Sequence, residues 1–162
     1  MQKISTSRRA TIVVAAIFAC ASAPALAQDD PRVAAEIIKL AQTQIDATVA
    51  GRPVVERMSA ISDDYTLFQA YSNTRIDGKA AVVALNTATE AGGGKTLVTQ
   101  MLNSRVQVYG DTAILTYNTY GINQGRDGAT SADQARITRV YVRRGGRWAN
   151  VHTHISRPAT PN

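Results

Sequence analysis

The 162-residue sequence predicts an α+β fold, in which N-terminal helices pack on one face of a curved, mostly antiparallel sheet. Three observations predict this class. Apolar residues recur at helical spacing only in the first part of the chain, before the glycine triplet at 92–94. The segments that follow are rich in Val, Ile, Thr and Tyr, which favour strands. Glycine-containing turns separate those segments, as in hairpins, and no repeat or linker interrupts them, so one domain is expected.

The first 27 residues are predicted to be a cleaved export signal, which leaves residues 28–162 as the domain. Three basic residues precede an apolar run at 11–21, and the triplet ALA at 25–27 has the small-x-small pattern of a cleavage site. The run is shorter than the ~20 residues that a transmembrane helix needs. We therefore expect a periplasmic or secreted protein with no transmembrane segment.

The route of export stays open. Arg8 and Arg9 form a twin-arginine pair, which is typical of export in the folded state, although the residues that follow suit the ordinary route better. Cys20 is an alternative lipid-attachment site, but Phe18 is large for that signal. Cys20 is also the single cysteine of the chain, so the domain is expected to have neither a disulfide nor a thiol nucleophile.

The charge of the chain does not indicate nucleic-acid binding. The formal net charge is +6, but three of the 18 basic residues and none of the 12 acidic ones lie in the predicted signal. The remaining domain therefore has 15 basic and 12 acidic residues, or +3, which is modest for its size.

Three helices are predicted ahead of the long strands. Asp30 and Pro31 form a start signal for the first, whose apolar residues recur at helical spacing until Gly51 ends it. A second, shorter helix is predicted over 54–61. Strand-like segments at 64–71 and 73–78 lead to a third helix over 79–91, which the glycine triplet closes.

Four strands are predicted in the second half. The first covers 96–109 with a bend near Asn103, and the second covers 112–123. The last two, at 137–144 and 147–156, flank a glycine pair that supplies the positive backbone angles of a tight hairpin turn.

The final hairpin contains the candidate site residues. Arg139 lies in the middle of its first strand, where an unpaired guanidinium is costly to bury. Two interpretations remain open, an anion-binding group at the base of a pocket and an internal ion pair with a carboxylate. Tyr117 and Tyr141 are candidate pocket walls with polar tips, and core packing is the alternative for both.

His152 and His154 are two residues apart in a strand, so both side chains are expected on one face. They are candidates for ligand contacts or proton transfer, and the alternative is a hydrogen-bonded place on a sheet face or subunit interface. No metal site is predicted, because the chain has only these two histidines. A two-residue turn places Arg139 opposite His152, whereas a longer loop or a bulge reverses that parity.

The residues of this ending resemble a known family. The motifs are TRV at 138–140, RRGGRW at 143–148 and NVHTHIS at 150–156, with weaker agreement at 76–78 and 108–111. They resemble the association (hub) domain of calcium/calmodulin-dependent protein kinase II and its free-standing bacterial relatives, which belong to the NTF2-like, cystatin-like cone folds. SnoaL-like polyketide cyclases share parts of the ending.

The resemblance implies helices and a curved sheet around a conical pocket, in a homo-oligomer of dimers that in some members form rings. In the kinase hub the pocket carries arginines and binds small carboxylates. One hub arginine falls on Arg139, the other two fall near Thr119 and Ile155, and a pocket histidine falls near Val82. Only one of the four is kept. The chain has no kinase catalytic motifs, and no cofactor is implied.

The leading hypothesis is an exported, homo-oligomeric NTF2-like association-domain protein that binds a small ligand in its cone, an anion being one candidate, or assembles a scaffold, without turnover. The alternative is a SnoaL-like isomerase, cyclase or hydratase in which a pocket His or Asp transfers a proton. A third hypothesis is a purely structural hub whose pocket is filled by its own side chains.

Overall fold

The computed structural model describes residues 30–158. Within that range it contains three helices, α1 (Pro31–Val49), α2 (Val54–Arg57) and α3 (Lys79–Ala91), and six strands, β1 (Ile61–Phe68), β2 (Ile76–Asp77), β3 (Lys95–Tyr109), β4 (Thr112–Gln124), β5 (Thr130–Arg144) and β6 (Arg147–Ser156). The predicted export signal lies outside the described residues. No helix between residues 30 and 158 combines the length and apolar character needed to span a membrane.

The strands form one sheet in the order β2-β1-β6-β5-β4-β3. All neighbours are antiparallel except β1 and β6, which run parallel. The last strand in sequence is therefore an interior strand of the sheet, between β1 and β5. The prediction of an α+β fold with a mostly antiparallel sheet is confirmed.

Helix α1 covers the long strands. Asp30 caps it, because its Oδ1 accepts hydrogen bonds from the backbone N–H groups of Arg32 (3.0 Å) and Val33 (3.1 Å). The buried face of α1 then packs with inward side chains of the sheet in one core cluster, which includes Val33, Ile37, Ala41, Ile45, Leu115, Tyr117, Tyr141 and Trp148. This burial is what α1 gains over an isolated helix, because most helical stability in proteins comes from packing.

A second core cluster joins α2 and α3 to β1. Its buried members are Val54, Met58, Ile61, Tyr65, Leu67 and Val82. Helix α2 is shorter than the predicted 54–61, since Ile61 already pairs with Asn150 of β6 and starts β1. Strand pairing therefore overrides the helical spacing of this segment.

The final hairpin has the predicted two-residue turn. Gly145 and Gly146 have φ of 56° and 78°, and Arg144 pairs with Arg147 across the turn. These positive angles are the ones that favour glycine in a type I′ hairpin.

A bulge changes the register farther along the hairpin. Tyr141 pairs with Asn150 and Val140 pairs with His152, so Val151 is an extra residue in β6. Beyond the bulge, Arg139 lies opposite Thr153 and not opposite His152. The bulge thus reverses the face on which the histidine side chains lie.

Candidate functional site

A cavity of about 310 Å³ lies between the helices and the inner face of the sheet. Members of both core clusters line it, among them Ile45 from α1, Met58 beside α2, and Tyr117 from β4. Its volume is at the small end of the ~300–1,000 Å³ typical of small-molecule sites. We call it the inner cavity.

Arg139 of β5 lines the inner cavity. Its Nη1 donates a hydrogen bond to Oε1 of Gln44 on α1 at 2.6 Å, and its guanidinium carbon lies 5.6 Å from the ring centroid of Tyr117. Its Nε is buried and has no hydrogen-bond partner among the described residues. No carboxylate between residues 30 and 158 forms an ion pair with Arg139. The described part of the chain therefore does not contain the internal ion pair that was one interpretation of this residue.

The guanidinium of Arg139 stays charged in this environment. Burial lowers its pKa, but the nearby hydroxyl groups of Tyr117 and Tyr141 raise it, and the net shift is upward. The inner cavity therefore contains a half-buried positive charge whose protein partner is a neutral amide. Such a charge is costly unless an anion or water completes its hydrogen bonds.

The two predicted tyrosines have different positions. Tyr117 is buried and lines the inner cavity, and its hydroxyl has no hydrogen-bond partner in the described chain. Burial raises the pKa of Tyr117, so its hydroxyl is protonated and available as a donor. Tyr141 is 1% exposed and belongs to the α1 core cluster, but it does not line the inner cavity. Tyr141 is therefore a core residue.

His152 and His154 are not part of the inner cavity, because the bulge at Val151 places them on the other face of the sheet. The Nδ1 of His152 is 2.8 Å from Oγ1 of Thr66, and Phe68 contacts both imidazoles at centroid distances of 6.0 and 5.9 Å. Burial lowers the pKa of His152, and the nearby charges of His154 and Arg75 lower it further. His152 therefore lies on a hydrogen-bonded face of the sheet, and His154 lies beside Phe68 on the same face.

Arg57 at the end of α2 is a cavity residue that the sequence analysis missed. Its side chain is only 2% exposed and pairs through Nη2 with Oε1 of Glu90 on α3, which is 45% exposed. Its Nε is buried without a partner among residues 30–158. The available signal was that Arg57 follows Val54 by three residues, which puts both on the buried face of α2.

A second ion pair lies at the rim. Arg157 Nη2 is 2.9 Å from Oδ1 of Asp133, and its guanidinium carbon lies 4.9 Å from the ring centroid of Tyr71. All three residues line the inner cavity. Among residues 30–158, no group of three or more His, Cys, Asp and Glu side chains is arranged to hold a metal ion. The charged side chains that line the inner cavity are thus three guanidinium groups and one carboxylate.

Solved structures share this architecture. An NTF2-like protein of unknown function from Pseudomonas putida KT2440 matches with a TM-score of 0.66 and 24% identity, covering 81% of this chain and 90% of that one. An NTF2-like superfamily protein from Salmonella enterica matches with a TM-score of 0.68 and 18% identity, covering 82% of this chain and 95% of that one. The association domain of C. elegans CaMKII matches with a TM-score of 0.61 and 24% identity, covering 78% of this chain and 96% of that one. The protein therefore has the NTF2-like fold.

The family is defined more closely by the sequence. The model of the calcium/calmodulin dependent protein kinase II association domain matches residues 33–159, and the chain belongs to that family. No curated protein matches the sequence. The resemblance of the last strands to this family is confirmed.

Two positions where the resemblance places hub arginines also line the inner cavity. Thr119 and Ile155 are among its lining residues, whereas Val82 is 3% exposed in the second core cluster. The chain thus has a hydroxyl and an aliphatic side chain at two positions where the resemblance implies arginines, and Arg57 lines the same cavity from α2.

Proposed function

We propose that this chain is an exported association-domain protein that assembles with copies of itself and binds a small anionic ligand in the inner cavity. The observation that carries the ligand is Arg139, a half-buried guanidinium that lines the cavity and has only a neutral partner among the described residues. A carboxylate is the partner that a guanidinium binds best, through two parallel hydrogen bonds.

The surroundings of Arg139 favour a ligand that is anionic at one end and apolar elsewhere. Ile45, Met58, Ile137 and Ile155 give the cavity aliphatic walls, and the Tyr117 hydroxyl adds an unpaired donor beside the guanidinium. Small-molecule sites typically combine such apolar walls with a few polar groups that orient the ligand.

Binding without turnover is the function that the lining supports better than catalysis. A general base must lie within hydrogen-bond reach of the substrate, and no histidine is among the described lining residues. The carboxylate of Asp133 is at the cavity but is held by Arg157. No observation specifically favours the isomerase or cyclase alternative.

Self-association is supported by the family and by an exposed sheet edge. Strand β3 is an edge strand of 15 residues. Its apolar residues Leu97, Val98 and Leu102 are 40%, 38% and 42% exposed. A long edge strand with exposed apolar side chains is usually covered by another chain or element. A second copy of this chain is the occupant that the association-domain family suggests.

Light scattering after gel filtration tests the assembly. We expect wild type to run as a dimer or larger species, and Leu102→Lys to shift it towards the monomer. Val55→Lys is the matched control, since Val55 is 67% exposed on α2, away from β3. A monomeric wild type at micromolar concentration would contradict self-association.

Export is proposed from the sequence of residues 1–27, which lie outside the described residues. Expression of the full chain in a bacterial host, followed by mass measurement of the protein from the periplasm, tests it. We expect a polypeptide that begins at Gln28. Uncleaved protein that remains in the cytosol would contradict the proposal.

The ligand is tested by a thermal-shift screen of small carboxylates at constant ionic strength. We expect some acids to raise the melting temperature of wild type and not that of Arg139→Gln. Arg52→Gln is the control, because Arg52 is 63% exposed and outside the cavity. A shift that survives Arg139→Gln would remove Arg139 as the anion-binding group.

A further inference from the structure

Arg57 is the most deeply buried charged side chain of an ion pair in the described chain, and only one of its two edges is used. The side chain is 2% exposed, its Nη2 is paired with Glu90, and its Nε has no partner among residues 30–158. A guanidinium in such a position binds a carboxylate with high preference, because it has already lost its water. The residue that fills this role now is a half-exposed glutamate on a different helix.

Arg57 also connects the inner cavity to a larger space. A chamber of about 640 Å³, which we call the outer chamber, shares Thr48, Arg57 and Asn86 with the inner cavity and is lined by Glu90. The two spaces therefore adjoin at Arg57, beside a hydroxyl and an amide. Arg139 and Arg57 both line the inner cavity, so an elongated molecule that touches Arg139 there can extend to Arg57.

The charges of the combined lining are unbalanced. Four basic side chains line the two spaces (Arg57, Lys95, Arg139 and Arg157) against two acidic ones (Glu90 and Asp133), a surplus of two positive charges. One dianion would balance this surplus. The Glu90 carboxylate can separate from Arg57 without being left as a buried unpaired charge, because its side chain is 45% exposed and can be solvated by water.

We propose that the combined cavity takes an elongated dicarboxylate, with one carboxylate on Arg139 and the other on Arg57 in place of the Glu90 carboxylate. Glu90 thus acts as an internal competitor that keeps Arg57 neutralised in the empty protein. The inference rests on the proposed function, because both use Arg139 as the inner anion-binding group. It adds the class of ligand and the exchange at Arg57.

The test measures the affinities for adipate and hexanoate by isothermal titration calorimetry at matched ionic strength. Both acids have six carbons, but adipate has two carboxylates and hexanoate has one. We expect wild type to bind adipate more tightly than hexanoate by no more than about tenfold, the worth of one charge-assisted hydrogen bond, because the new bond at Arg57 replaces the one to Glu90. Glu90→Gln removes the competing charge and keeps an oxygen for Arg57. It should tighten adipate binding about tenfold and leave hexanoate unchanged.

Control variants separate local exchange from a general change of charge. Glu56→Gln removes an exposed carboxylate that is paired with Arg52, and it should leave both acids unchanged. Arg57→Gln should reduce the affinity for adipate to that for hexanoate. If Arg57→Gln does not fold, the Glu90→Gln comparison decides, since Glu90 is half-exposed.

The outcomes distinguish this inference from the proposed function. Equal binding of the two acids by wild type, with no effect of Glu90→Gln, overturns the dicarboxylate and leaves Arg139 as a monocarboxylate site. Tighter binding of both acids by Glu90→Gln also overturns it, because a general electrostatic effect then explains the change. Failure of wild type to bind either acid removes the proposed ligand function itself.

Discussion

Replacing Arg139 by methionine should separate the ligand role of this residue from its contribution to stability. Methionine has a similar length and no charge, so it fills the space without needing a hydrogen-bond partner. We expect Arg139→Met to unfold at a slightly higher denaturant concentration than wild type and to lose the thermal shift given by carboxylates. A structural arginine would show the opposite change in stability.

The expected magnitude follows from the contacts of Arg139. The substitution loses the hydrogen bond to Gln44 at 2.6 Å, worth about 1.5–3 kcal/mol, and the contact with the Tyr117 ring at 5.6 Å, worth about 0.5–2 kcal/mol. It removes the desolvation cost of the charge, several kcal/mol, and it buries an apolar side chain worth about 1.5–3 kcal/mol. Because these losses and gains are of similar size, and because replacing buried charges by apolar side chains is commonly neutral or stabilising by about 1–4 kcal/mol, we expect a stabilisation of about 1 kcal/mol.

The assay is urea unfolding at pH 7 and fixed protein concentration, because assembly contributes to apparent stability. In a separate thermal unfolding experiment, a stabilisation of about 1 kcal/mol corresponds to a melting temperature about 3 °C higher than that of wild type. Arg139→Met destabilised by more than about 2 kcal/mol would refute the reasoning, because Arg139 would then be a net structural contact. Arg143→Met serves as a comparison, since Arg143 is also partly buried but stacks on Trp148 at 4.4 Å, outside the inner cavity.

Three further predictions concern the framework around the cavity. Leu115→Ala should lower the free energy of unfolding by about 2–5 kcal/mol in urea, because Leu115 is fully buried under α1; a loss below about 1 kcal/mol would contradict that packing. Gly146→Val should destabilise by at least about 1 kcal/mol, since φ is 78° there, and an unchanged urea midpoint would show that the turn can rearrange. Hydrogen bonds from the Arg144 side chain, and next from Ser62, lower the pKa of Asp64 from 3.8 to about 2. The stability that the ionised Asp64 adds is therefore present above pH 4 and is lost as the pH falls to about 2. The urea midpoints of wild type and Asp64→Asn should differ at pH 7 and converge between pH 4 and 2. A difference that persists at pH 2 would contradict this assignment.

The sequence predicted those parts of the fold that depend on neighbours in the chain. The cap at Asp30 and the turn at Gly145-Gly146 have local causes, and both are present. The bend near Asn103 is also present, since Asn103 has φ of 53° and the β3–β4 register shifts there. Each of these features depends on residues within a few positions, which is the range over which sequence patterns are informative.

The parts that were missed depend on contacts between distant segments. The bulge at Val151 is part of the pairing between β5 and β6, and no residue type in NVHTHIS marks it, so the face of His152 could not be known. The burial of Arg57 depends on α3, because Glu90 of that helix, 33 positions away in sequence, pairs with it. Arg139 was identifiable because a charged residue inside a strand contradicts its apolar neighbours.

The parallel pairing of β1 with β6 bears on how the molecule acquires its structure. Ile61 pairs with Asn150, and Thr66 pairs with His152, 86 residues later in the chain. Strand β1 therefore cannot complete its pairing until β6 has been synthesised. Such long-range closure slows folding, because chain entropy is lost before the contact forms. A nascent chain of this design therefore remains incompletely folded until its last strand is made.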